Sequence, residues 1–135
     1  TKISKFSFRI SSHSRARMRL LRASGVCAYR VGRSVDAGPL LRQALDLAHL
    51  LQDRTWQGKV TANTASVLYA TGRVEDAMAG YREAIAIARE AGDRAGEGVA
   101  IGNLANLEAE AEAEAEAWLT NPRSRPYNQE RVALS

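Results

Sequence analysis

The sequence predicts an all-α chain, an α-solenoid of antiparallel helical hairpins with about two and a half repeats and a long C-terminal helix. Three observations predict it. The chain resembles itself when slid by 40 residues. Within each copy the apolar residues recur at helical spacing. Proline is scarce and alanine abundant, which favours helix over strand through most of the length.

The self-similarity is positional. Gly32-Arg33 falls on Gly72-Arg73, Asp36-Ala37 on Asp76-Ala77, and Asp53-Arg54 on Asp93-Arg94. Tyr29 falls on Tyr69, Ala44 on Ala84 and Ala48 on Ala88; one step further, Gly58 meets Gly98 and Asn63 meets Asn103. Repeats are expected over residues 18–57 and 58–97, with a partial third over 98–119.

Each unit reads as helix, tight turn, helix. The first unit runs about Arg15 to Val31, turns at Gly32, and continues about Val35 to Leu51, with Pro39 close enough to the start to be tolerated. The second runs about Thr55 to Thr71, turns at Gly72, where a left-handed backbone suits glycine, and continues about Val74 to Ala91. That last segment places Ala77, Tyr81, Ala84, Ile85, Ala88 and Ala91 on one stripe. Ala37, Ala44, Ala77 and Ala84 are expected where antiparallel helices cross. In the third unit Glu112 stands where Gly32 and Gly72 stand, inside a Glu/Ala run, so a single helix of roughly 36 Å is expected from about Ala95 to Leu119, ending before Pro122.

The segment Gly72 to Arg94, with glycine at the turn, alanine early and late in the following helix and Tyr81 between them, resembles the tetratricopeptide repeat. The long period and the Gly-Asp-Arg ending are similar to the variety found in kinesin-light-chain-like proteins and bacterial regulators. The resemblance covers about residues 16–119. It departs from the family at Leu41, in place of the aromatic, and at Thr61 and Thr64, in place of Trp and Leu. It implies a concave groove, lined by the first helix of each pair, that holds peptides. By register that groove receives Arg19, Arg22, Val26, Tyr29 and Arg30 from the first unit. The second gives Lys59, Ala62, Asn63, Ser66, Tyr69 and Ala70, and the third Val99, Asn103, Asn106 and Glu110. Asparagine amides suit a peptide backbone and arginine suits carboxylates, so an extended acidic protein or peptide segment is the expected partner.

Charge is distributed unevenly. Residues 1–35 carry +9 with no acid, residues 36–96 carry −1, residues 97–120 carry −6 with no base, and the tail from Asn121 carries +2. Residues 1–14 read as a basic arm, with Phe6, Phe8 and Ile10 alternating as in a short strand or extended segment. A transit peptide and a nucleic-acid patch are weaker alternatives for this stretch, since no nucleic-acid motif accompanies it. The opening Thr1 reads as the start of a processed or excised chain. Residues 120–135 form a C-terminal tail. Glu108, Glu112 and Glu116 share one helical row and Glu110 and Glu114 another, an acidic surface whose like charges oppose local stability. Opposed basic and acidic ends give the alternative reading, a self-assembling structural unit that joins head to tail.

Catalysis and cofactors find no foothold. His13 and His49 lack companions at metal-ligand spacing. Cys27, the single cysteine, excludes an internal disulfide, suits a reducing, cytoplasmic setting, and is expected on the buried side of its helix. The Gly96, Gly98, Gly102 string follows a helix, not the strand a phosphate loop needs. No stretch is long and apolar enough to span a membrane. The expected activity is therefore non-catalytic protein binding as an adaptor, within a larger regulatory or scaffold protein or as an oligomer.

Overall fold

Helix ends are set by a turn repeated at residues 32, 52, 72 and 92. In the computed structural model the backbone N–H of Arg33, Asp53, Arg73 and Asp93 each donates to the carbonyl five residues back, at 2.8, 3.0, 2.9 and 2.9 Å. This is the Schellman closure, which requires a left-handed residue just before the donor. Gly32, Gly72 and Gly92 take it at φ of 82, 83 and 71°. Gln52 takes it at φ 52°, the sole non-glycine with positive φ among the described residues. Five helices result: α1 Lys2–Arg30, α2 Ser34–Leu50, α3 Arg54–Ala70, α4 Val74–Ala91 and α5 Arg94–Thr120. The structure describes residues 2–121 and 123, with the side chains of 2–4, 6–8 and 10 excepted. There is no strand among the described residues, and no helix is long and apolar enough to cross a membrane.

Three interior helices match their expected bounds to within a residue, and α5 runs through the Glu/Ala segment as one helix. The N-terminus differs. α1 starts at Lys2, so the stretch expected as an extended arm or strand over residues 1–14 is helical wherever it is described. Two facts account for this. A strand needs a partner to take its backbone hydrogen bonds, and there is none among the described residues. No Pro or Gly interrupts residues 2–24, so a helix nucleated further on propagates back at little cost. Most of the C-terminal tail lies outside the described residues.

The chain divides into two units, residues 1–104 and residues from 105 on. In the first, α1 packs on α2, α2 on α3, and α3 on α4. One core gathers Met18 from α1, Ala37, Leu41, Ala44 and Ala48 from α2, and Val60 and Val67 from α3. A second joins Ala84 and Ile85 of α4 to Ala100 of α5, with Ala62 and Leu104 against it. Small residues set the helix spacing. Ala37, Ala44, Ala77 and Ala84 are all essentially inaccessible. A Cβ on Gly25 would stand 2.9 Å from Leu41, and one on Gly80 would stand 3.0 Å from Ala65. Thr61 and Thr64 donate back to the carbonyls of Gln57 and Val60 at 2.7 and 2.9 Å, so neither hydroxyl is stranded.

In the second unit, Glu108, Glu110, Glu112, Glu114 and Glu116 are all exposed along α5, while Leu107 is buried.

Candidate functional site

The most chemically distinctive surface lies where α1 passes α3. Asp53 starts it. Its side chain accepts from the backbone N–H of Trp56 at 3.1 Å, capping α3 and fixing the first turn. The same carboxylate pairs with Arg15 of α1 at 2.7 Å, tying the two helices together. Trp56, half-buried against the first core, presents its ring to three cations. The guanidinium carbons of Arg19 and Arg22 stand 5.9 and 5.3 Å from the ring centroid, and Lys59 Nζ stands 5.3 Å from it. Each such contact is worth about 0.5–1 kcal/mol at a solvated position. Arg22 is held further by donating from Nε to Asn63 Oδ1 at 2.8 Å. Among the described residues no carboxylate pairs with Arg19, Arg22 or Lys59.

Beside this cluster is a depression of about 140 Å³ lined by Val26, Tyr29, Arg30, Leu41, Asn63, Ser66 and Val67. Asn63 belongs to both features. The floor is apolar, from Val26, Leu41 and Val67; the polar atoms come from Tyr29, Arg30, Asn63 and Ser66. Ser66 is committed inward: its hydroxyl meets Tyr81 Oη at 2.7 Å and donates weakly to the Ala62 carbonyl at 3.3 Å. Burial holds the Tyr81 phenol above its ordinary value, the Ser66 hydrogen bond pulls it back in part, and the neighbouring Tyr29 adds to the rise.

Of the expected groove residues, Arg19, Arg22, Tyr29, Lys59, Asn63 and Ser66 do gather on this surface. Ala62 faces the second core instead. Tyr69 is 38% exposed, near the end of α3, and does not line the depression. Asn103 is half-buried on α5 and does not line the depression; Asn106 falls exposed in the second unit. Val99 is exposed. Cys27 is exposed too, against expectation. The buried side of α1 carries Met18 and Gly25, and a residue two places on from Gly25 lies about 200° round the helix.

No family model, no curated protein and no solved structure matches the chain. The site therefore stands on its own geometry. Its organising residue, Trp56, escaped the sequence reading because the repeat offers no counterpart: positions 16 and 96 hold Ala and Gly. A signal was present nonetheless. Arg19 and Lys59 are 40 residues apart, so the register that aligns the units also aligns their cations. Among the described residues no cluster of three His, Cys, Asp or Glu side chains could hold a metal ion.

Proposed function

We propose that this chain is a non-catalytic protein-binding module of the tetratricopeptide kind, with α1 and α3 lining the surface that receives an acidic, extended peptide or partner helix. One observation carries the reading: Arg19, Arg22 and Lys59 share the Trp56 ring with no neutralising carboxylate among the described residues. Three unneutralised cations over an aromatic face, next to an apolar depression with amide and hydroxyl groups on its rim, suit a segment with a negative side chain and a backbone to be hydrogen-bonded. A Glu-rich ten-residue peptide carrying a fluorophore tests it by anisotropy. Binding is expected at about 50 mM salt and strong weakening at about 500 mM, as charge screening shortens to a few ångströms. The Arg19→Gln/Lys59→Gln double variant should bind at least several-fold more weakly. Absence of binding at low salt would sink the reading.

A second reading rests on the five exposed glutamates of α5 and the acid-free α1: copies joining through opposite charges. Native mass spectrometry at two ionic strengths separates the two. Salt-sensitive polymers favour self-assembly; a salt-stable monomer removes it.

A further inference from the structure

The cation cluster and the depression are joined through Asn63, and their spacing constrains a ligand more narrowly than charge alone. From α1 the depression is lined by Val26, Tyr29 and Arg30, which lie roughly 6–12 Å past Arg22 along the helix. A polyproline II segment advances about 9 Å in three residues and returns to the same face. Such a segment can therefore set one side chain on the cations and another, three residues along, in the depression. At about 140 Å³ the depression is near the size of a cavity that accepts one small apolar group.

Charge selects what meets the cations. A carboxylate brings one negative charge to three positive groups, whereas a phosphorylated side chain brings about −1.5 to −2 and three acceptor oxygens. Arg22 uses Nε on Asn63, which orients the guanidinium and leaves both terminal NH2 groups to donate to such oxygens as a pair. Arg19 and Lys59 have no carboxylate partner among the described residues to give up first, so binding an oxyanion breaks no ion pair there.

We infer that the α1/α3 surface recognises a phosphorylated side chain on an extended peptide, held by Arg19, Arg22 and Lys59 beside Trp56, with a small apolar side chain three residues away seated in the depression. This rests on the peptide-binding reading and narrows it.

The probe is a labelled peptide, Ala-phosphoSer-Pro-Pro-Val-Ala, followed by anisotropy and by quenching of tryptophan emission. Its comparisons carry Glu or Ser for phosphoSer, or Ala for Val, and inorganic phosphate is titrated separately. The phosphorylated probe should bind roughly tenfold or more tightly than the Glu probe, with the Ser probe weaker still. Replacing Val by Ala should weaken binding several-fold. Arg19→Gln and Lys59→Gln should erase the preference while lowering the melting temperature by only about 2–5 °C, the loss of one cation–π contact each. Equal binding of the phosphoSer and Glu probes overturns this inference and leaves the acidic-peptide reading standing. Failure of every probe, the Glu probe included, overturns both. Inorganic phosphate binding as tightly as the phosphopeptide overturns the peptide-borne part.

Discussion

Ser66 and Tyr81 meet through their hydroxyls at 2.7 Å, and the positions 40 residues earlier hold Val26 and Leu41. One hairpin joins its two helices here through a polar pair, while the corresponding positions of the other are apolar and both line the depression. The difference is internally consistent, because neither arrangement leaves a buried donor without an acceptor.

A double-mutant cycle tests this pairing. Ser66→Val leaves the Tyr81 hydroxyl buried without its partner and should cost about 1–3 kcal/mol. The Ser66→Val/Tyr81→Leu double variant rebuilds the pair of the first hairpin and should cost less than the two single changes together. Urea unfolding of the four proteins decides it; strictly additive effects would show that the hydroxyls are not coupled.

The same phenol predicts an alkaline limit. Its folded pKa lies above the unfolded value of 10.0, so the folded state keeps a proton that the unfolded state releases. The resulting stability is fully present below about pH 10 and is lost as pH rises through the folded pKa. Tyr81→Phe removes this contribution, so the wild type should lose more stability than the variant between pH 9 and pH 11. Denaturant midpoints at the two pH values read the difference.

Gln52 occupies a backbone conformation that the three equivalent turns reserve for glycine. Gln52→Gly should stabilise the fold by about 0.5–1 kcal/mol, the relief of left-handed strain less the added freedom of the unfolded chain. Gly72→Ala, at φ 83°, should destabilise it by about 1 kcal/mol. Opposite signs in thermal melts are the expected result; equal signs would contradict it.

Asp53 has two roles that substitution can separate. Asp53→Asn keeps an oxygen to cap α3 while removing the charge that pairs with Arg15, and should cost about 0.2–1 kcal/mol. Asp53→Ala also removes the cap and should cost about 1 kcal/mol more. High salt should narrow the gap between wild type and each variant by the same amount, and leave the gap between Asp53→Asn and Asp53→Ala unchanged.

Gly25 sets the approach of α1 to α2. Alanine is the better helix former by about 1 kcal/mol, yet its Cβ would stand 2.9 Å from the fully buried Leu41. Overpacking of about 1–3 kcal/mol should outweigh the propensity, so Gly25→Ala should lower the melting temperature.

The sequence made the helices legible because their boundaries rest on local chemistry. Gly32, Gly72 and Gly92 mark left-handed turns in any context, and the stripe from Ala77 to Ala88 needs only its own period to be seen. Gln52 was not legible, since nothing in glutamine announces a positive φ; the surrounding turn imposes it. The alternation of Phe6, Phe8 and Ile10 pointed to an extended chain, but period alone does not supply a strand with a partner. At the candidate site the basic residues were legible one by one. Their convergence on Trp56 was not, because Arg19 and Arg22 reach that ring from a different helix, α1, and only packing brings α1 and α3 together. Ala62 shows the converse: register placed it in the groove, while packing turned it toward the second core.

The hydroxyl pair also limits how this chain can be recombined. Excising residues 33–72 would join Gly32 to Arg73, reproducing the Gly-Arg junction of either turn and keeping every later helix in phase. At the level of turn chemistry the two units are interchangeable cassettes. At the level of packing they are not: the shortened chain would set Val26 against Tyr81 and leave a phenol facing a methyl group. That fit is carried by each helix for its partner within the same hairpin: whole hairpins can be exchanged without disturbing it, whereas a cut inside them obliges both positions to change at once.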